Sequence, residues 1–483
     1  MTLAFDSATQ LGRGIRDKAI SSRELTDYFI ARIERFDADL NAVVVRDFDT
    51  ARAAADAADA ALANGESLGP LHGLPMTIKE SYNIAGLPTT WGIPEFKDNV
   101  ATQDSDTVAR YKAAGAHFLG KTNVPLKLAD FQSYNEIYGT TNNPWDLERI
   151  PGGSSGGSAA ALAAGMTGLE SGSDIGGSIR NPAHFCGVYG HKPTWGVVPP
   201  QGHALPGALA PSDIAVVGPL ARSASDLALC MDLVAGADHL NTAGWQLNLP
   251  RPTKQSLADY RIAIWADDER APVSQEIADR VQTVGDRLAA LGATVSDTAR
   301  PGFDIDQGFT NYIFMLNAVM AAGLPDEAFE ATQQEVAELD PNDESDEAQM
   351  ARAAVQHHRT WLRGNHFREH LRMAWRAFFD DWDILICPQT ATTAFAHDHS
   401  PFETRTLTVN NEAQDYFKQI FWAGIITIGY LPSTVFPTGP SRDGLPIGLQ
   451  AVGAEFNDYQ CIDFARLMAD EFGGFQPPPG YED

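Results

Sequence analysis

Cysteine is scarce in this sequence. Cys186, Cys230, Cys387 and Cys461 are spread over 483 positions with no Cys-x-x-Cys pair. That argues against a disulfide framework and a cysteine zinc site alike, and fits a reducing, cytoplasmic setting. Long apolar runs are also missing: the longest, Phe421 to Leu431, contains Thr and Gly and stops at Pro432. A membrane helix needs about 20 residues. No basic stretch followed by an apolar one opens the chain, so no secretory signal is expected. Basic residues are the third shortage, with 35 Lys and Arg against 63 Asp and Glu and a formal net charge of −28. Nucleic acid and anionic membrane both demand basic patches, so neither is expected as a partner. A solvated acidic surface is the plain reading of the charge.

What the chain does have points to a large α/β protein. Hydrophobic residues make up 44% of it, with 42 glycines and many alanines, a globular composition. Ser21-Ser22-Arg23-Glu24 reads as a capping box, after which Leu25, Phe29, Ile33 and Phe36 share one helical face. Ala51 to Ala63 is an alanine-rich helix ending at Asn64-Gly65. A helix over 107–114 followed by a strand over 117–120, and strand–helix–strand over 261–265, 277–291 and 293–295, imply a mixed or parallel sheet. No internal repeat stands out. The main compositional shift is at 325–349, where Glu335 to Glu347 reads as an exposed, partly flexible acidic loop between helices. Beyond it Met350 to Phe379 sets Trp361, Leu362, Phe367, Leu371, Trp375, Phe378 and Phe379 at helical spacing. Core packing is the default for these aromatics, and for Phe421 and Trp422, with contact to an apolar substrate the alternative.

The chemistry concentrates in two glycine-rich elements. Pro151-Gly152-Gly153-Ser154-Ser155-Gly156-Gly157-Ser158 carries Ser154, and Gly172-Ser173-Asp174-Ile175-Gly176-Gly177-Ser178-Ile179-Arg180 carries Ser178. Glycine reaches dihedrals that side chains forbid, so such backbone can aim several N–H groups at one small ligand. An oxyanion hole beside a nucleophilic hydroxyl is built that way. A hydroxyl also needs a base. His184 and His191 lie nearby but have no carboxylate at an obvious orienting distance. A stronger candidate is Lys79, which interrupts the apolar run of a short strand over Met76 to Ser81. A strand lysine either reaches water or is buried, and burial lowers its pKa toward a neutral amine base. Alone, Lys79 also fits a structural role; the serine elements favour the base.

Together these residues resemble the amidase signature family of serine amide hydrolases. The Pro151–Ala159 block, Gly172 through Ala183 and Gly187-Val188-Tyr189-Gly190-His191-Lys192-Pro193-Thr194 match its long signature, and Asn143-Pro144-Trp145-Asp146 is similar to its approach. The likeness runs from about residue 70 to 220 and weakly on to Gly444–Gln450. It implies an α/β fold with a large mixed central β-sheet flanked by helices. An N-terminal helical layer is expected over 1–66 and a continuous core over 67–483. The signature segment falls at about 143–194 and a variable helical insertion at about 305–380. The resemblance further implies a Ser–Ser–Lys triad, with Ser178 as nucleophile, Ser154 relaying the proton after a cis Gly153–Ser154 peptide, and Lys79 as base. Backbone N–H groups of Ile175, Gly176, Gly177 and Ser178 would hold the oxyanion. Ser155, Asp174 and Arg180 would support the loops, with Ser173 in a similar role and Ser158 at the helix start. No metal or organic cofactor is implied, the partner is a small-molecule amide, and homo-oligomerisation is left open.

Departures from the family pattern are His191, Ile175 and Gln389, the last in a loop expected to shape the substrate pocket. The activity expected is hydrolysis of carboxamides, anilides or other hydrophobic amides, with esters and carbamates open. The alternative is the amidase subunit of a tRNA-dependent glutamine amidotransferase, which Arg363, Arg368, Arg372 and Arg376 keep in play as clamps for a charged substrate. Two other classes are weaker. His366-x-x-x-His370 and His397-Asp398-His399 lack the His-Glu-x-x-His order of a metallohydrolase. Gly152-Gly153-Ser154-Ser155-Gly156 fits Gly-x-Ser-x-Gly but lacks the preceding strand of a nucleophile elbow.

Overall fold

A computed structural model of the chain describes residues 3–343 and 345–482. Its centre is an eight-stranded mixed sheet. In spatial order the strands are Thr294–Ser296, Arg261–Ile264, Ile384–Cys387, Pro446–Val452, Ser433–Pro440, Tyr189–Lys192, Val216–Ala221 and Glu170–Asp174. The first three run parallel and every later pairing is antiparallel. The parallel pair at the first edge is joined by helix Gln275–Ala290, because parallel strands need a crossover connection. Strands of this sheet are buried almost throughout, as expected of a layer covered on both faces.

A second sheet of three strands orders Val43–Arg46, His117–Thr122 and Pro75–Lys79. Sequence periodicity marks no strand at 43–46, yet the segment pairs antiparallel with His117–Thr122 and so adds a strand among the first 66 residues. Helix Ser22–Leu40 opens on the expected capping box of Ser21 and Glu24 and closes at Asn41 in the left-handed region. Its Leu25, Phe29 and Ile33 are wholly buried, each contributing roughly 1.5–3 kcal/mol of apolar burial. It packs on helix Phe48–Ala63, with Asp59 accepting from the Ser22 and Arg23 amides.

Two expectations need correction. The acidic connection does lie between two helices, but it is shorter than 335–347: helix Asp326–Glu338 runs into that stretch and helix Asp346–Ala354 begins before it ends. Asp326 and Glu327 sit in the first turn of the former, where acids favour the helix dipole. Glu344, part of that stretch, lies outside the described residues. The aromatic segment beyond divides as well, with helix His358–Asp381 standing apart from Asp346–Ala354. Among the described residues no helix is long and apolar enough to cross a membrane.

Candidate active site

The edge strand Glu170–Asp174 meets the small sheet where strand Pro75–Lys79 ends. The Thr77 N–H donates to the Leu169 carbonyl and to Thr167 Oγ1. Side chains alternate along a strand, so Thr77 and Lys79 share a face. Lys79 is fully buried there. Its Nζ donates to Ser154 Oγ at 2.6 Å, Ser173 Oγ at 2.9 Å and Ser155 Oγ at 3.0 Å. All three partners are hydroxyls, which can give or accept a proton. The same cage therefore satisfies an ammonium giving three hydrogen bonds or a neutral amine giving two and accepting one. Burial pushes the Lys79 amine down from 10.5 to about 7, with Asp174 and Glu170 pulling partly the other way.

Ser154 follows a cis peptide bond to Gly153. Gly153 is required by close approach, since a Cβ there would lie 2.4 Å from the carbonyl oxygens of both Asp130 and Gln132. Its N–H donates to Asn181 Oδ1 at 3.0 Å. Ser155 stands at the N-terminus of helix Gly156–Ala163, and its amide donates to the Ser178 carbonyl at 3.1 Å. The two serine loops thus abut. Ser173, expected to hold the nucleophile loop, is instead the third hydroxyl on Lys79. Ser158 Oγ bonds Thr122 Oγ1 at 2.8 Å.

Asp174 and Arg180 form a buried pair, both wholly shielded. Arg180 grips the carboxylate through Nε (3.0 Å) and Nη2 (2.9 Å), while the Gly177 and Ile179 amides donate to it at 2.9 and 3.0 Å. Burial alone would push this carboxyl up, but Arg180 outweighs it and holds the group at about 2. Arg180 also donates to Gln450 Oε1 and Thr427 Oγ1. Of the expected oxyanion donors, Gly177 is therefore already committed to Asp174. The Gly176 and Ser178 amides donate to no described residue. Ile175 has its carbonyl held by Tyr312 Oη at 3.0 Å. At Gly177, with φ of 103°, a Cβ would meet Gln389 Nε2 at 2.7 Å and Ala423 Cβ at 3.2 Å.

The family Amidase matches residues 24–462. The chain belongs to the amidase signature family. Among curated relatives, a glutamyl-tRNA(Gln) amidotransferase subunit of Anaeromyxobacter dehalogenans (strain 2CP-C) is 32% identical over 490 residues, 97% of either chain. A bacterial aryl acylamidase of the amidase signature enzymes superposes with a TM-score of 0.79 at 26% identity, over 99% of each chain. A further match comes from the inhibitor-bound structure of a vestigial protein complex that reveals the evolutionary origins of an s-triazine catabolic enzyme. Its TM-score is 0.82 at 30% identity, over 98% of this chain and 100% of that one.

Within this amidase signature enzyme, the aromatic segment does not form one pocket. Trp375 is wholly buried against Phe303, Phe378 and Phe379, and Phe421 and Trp422 pack on Trp265. Trp361 and Phe367 instead join a second apolar cluster that includes Phe131, Tyr312, Ile420 and the nucleophile-loop residue Ile175. Gln389 lies over that loop, 2% exposed, its Oε1 buried with no hydrogen-bond partner among the described residues. His184 and His191 are spent elsewhere, His184 Nε2 on the Thr392 carbonyl and His191 on Thr434 and Asp458. No group of three or more His, Cys, Asp or Glu side chains that could hold a metal ion occurs among the described residues. Three further residues of the site were not singled out in the sequence: Glu170, Asn181 and Gln450. Glu170 had a signal, an acid inside the short strand leading to Asp174.

Proposed function

We propose that this protein is a free-standing enzyme that hydrolyses the C–N bond of carboxamides through an acyl-enzyme on Ser178. The observation that carries the reading is the Lys79 amine, buried among three serine hydroxyls and lowered to about 7. In its neutral form it takes the Ser154 proton while Ser154 takes that of Ser178, and Ser178 Oγ attacks the substrate carbonyl carbon. The free amides of Gly176 and Ser178, with Ile175 beside them, receive the developing oxyanion, and Gly177 keeps the loop on Asp174. Removing one such donor typically costs about 10²–10³ in rate. The proton returns through Ser154 to the leaving amine as the C–N bond breaks, and water then releases the acid from Ser178.

Two observations favour an apolar amide such as an anilide. The apolar cluster reaches the nucleophile loop at Ile175, and the similar aryl acylamidase acts on that class by its name. Three of the four arginines that could clamp a charged substrate are already paired, Arg368 with Asp213, Arg372 with Glu455 and Glu369, and Arg376 with Asp380, which leaves Arg363. The second reading, an amidase subunit that releases ammonia for a partner, is favoured by the names of the curated relatives.

A small panel decides between them: an aliphatic amide, an anilide, a carbamate and glutamine, each with and without chelator, for wild type and Ser178→Ala. Turnover of a non-glutamine amide, lost in the variant and indifferent to chelator, supports the free-standing enzyme. Activity on glutamine alone, dependent on an added partner protein, replaces it with the second reading. Undiminished turnover by a folded Ser178→Ala removes the acyl-enzyme.

A further inference from the structure

Glu170 is a buried acid that the proposed mechanism does not use. It is wholly shielded from solvent on strand Glu170–Asp174. Its Oε1 accepts from Thr77 Oγ1 at 2.7 Å and Thr122 Oγ1 at 3.1 Å, and its Oε2 from the Ser171 amide at 3.0 Å. Those two threonines bracket the lysine: Thr77 precedes Lys79 on the same strand face, and Thr122 is the cross-strand partner of Lys79. Thr122 Oγ1 also bonds Ser158 on the helix that follows Ser154 and Ser155. One carboxyl thus ties together the strand carrying Lys79, its neighbour, the strand leading to Ser173 and Asp174, and the helix behind Ser154. No arginine or lysine pairs with it among the described residues; its direct partners are hydroxyls and one amide. Burying an ionised acid without a cationic partner is costly, and the group responds by binding its proton more tightly.

We propose that Glu170 is a positioning residue for Lys79: through Thr77 and Thr122 it fixes the lysine strand, and its charge governs the proton affinity of the amine. This rests on the reading of Lys79 as the base only for its catalytic consequence. Burial presses both groups toward their neutral forms, lowering the Lys79 amine to about 7 and raising the Glu170 carboxyl to about 7. Against that burial, the Glu170 charge raises the proton affinity of the Lys79 amine. The other ionisable groups facing the pair are Asp174 on the same strand, Tyr82 beyond the lysine strand, His203 in the loop above Tyr82, and Tyr111 through Ser171. Asp174 is held by Arg180 and stays charged, which leaves Glu170 as the acid whose charge can vary near neutrality.

The test reads Lys79 directly, so that it does not depend on turnover. The full-length enzyme is labelled with lysine carrying ¹³C at Cε, and the Lys79 resonance, assigned by its loss in Lys79→Met, is titrated by NMR. In Glu170→Gln the lost negative charge disfavours the ammonium, so the midpoint should fall by about one pH unit, at the low end for a nearby opposite charge. Thr77→Val removes one donor to the carboxylate, raises its proton affinity and should move the midpoint the same way by less. Thr77→Ser should restore it. An unchanged midpoint in folded Glu170→Gln overturns the proposal; if that variant does not fold, an unchanged midpoint in Thr77→Val does. The acidic limb of kcat/KM, measured alongside, separates the two readings. A midpoint that moves while the limb stays put retains the Glu170 link and removes Lys79 as the base.

Discussion

Replacing Lys79 by Met should make the protein more stable while stopping turnover. A lysine whose pKa falls from 10.5 to about 7 costs the folded state about 5 kcal/mol at low pH and somewhat less at pH 7, at about 1.4 kcal/mol per pH unit. Methionine has a similar unbranched length and carries no charge to desolvate. Against the gain stand three hydrogen bonds to serine hydroxyls, together on the order of 3 kcal/mol at about 1 kcal/mol each. The net is a stabilisation of about 1–2 kcal/mol near neutral pH. The sign of its pH dependence follows from a folded pKa below the unfolded one. The deficit of the wild type is complete below pH 7, shrinks as pH rises from 7 toward 10.5 and vanishes above. Urea unfolding of both proteins at pH 6, 8 and 9.5 measures it. A Lys79→Met protein less stable than wild type by more than about 1 kcal/mol at pH 6, by a margin that does not change toward alkaline pH, would refute the reasoning and mark the amine as a well-satisfied cation.

Two further substitutions probe the walls of the site. Asp174→Asn leaves Arg180 as an uncompensated buried charge and should cost about 3–5 kcal/mol in unfolding free energy at pH 7, with activity falling as Gly177 loses its anchor. The wild-type contribution of Asp174, whose pKa of about 2 lies below 3.8, is complete above pH 3.8 and lost as pH falls through 2. Acid unfolding midpoints of the two proteins check this. Gln389→Leu removes an acceptor that is buried with no hydrogen-bond partner among the described residues and should raise kcat/KM for an anilide over that for a small polar amide by about tenfold, roughly 1.4 kcal/mol of differential binding. An unchanged ratio would show that the Gln389 carboxamide does not face the substrate.

The parts of the site legible in the sequence are those written locally. Ser154, Ser155, Asp174, Ser178 and Arg180 lie within 27 residues of one another, and the glycines between them declare tight backbone approach. The capping box of Ser21 and Glu24 and the strand–helix–strand over 261–296 were readable for the same reason, since their signals span a few turns of chain. Strand Val43–Arg46 was not, because it is four residues long and owes its conformation to pairing with His117–Thr122. Aromatic spacing over 361–379 showed a helix but not what each ring meets. Trp375 faces Phe303 while Trp361 faces the cluster around Tyr312, and both assignments depend on segments more than forty residues away.

Glu170 and Asp174 show why residue type alone could not divide the labour within the site. They are two acids on one short strand, both fully buried, both close enough to act on Lys79. Burial presses each toward its neutral form, and their partners decide the outcome. Asp174 has the Arg180 guanidinium and the Gly177 and Ile179 amides, so its pKa is held at about 2, it stays ionised near neutrality and it works as a fixed anchor for the nucleophile loop. Glu170 has hydroxyls and one amide, too little to offset its desolvation, and rises to about 7. One acid is therefore constant in charge across the working pH range and the other is variable, although they stand four residues apart. Environments that push paired groups apart in this way mark the member that can exchange protons. Here that member is bonded to Thr77 on the lysine strand and to Thr122 opposite Lys79. Its influence on catalysis must then pass through the amine, which is why the lysine titration in Glu170→Gln discriminates more sharply than any loss of rate.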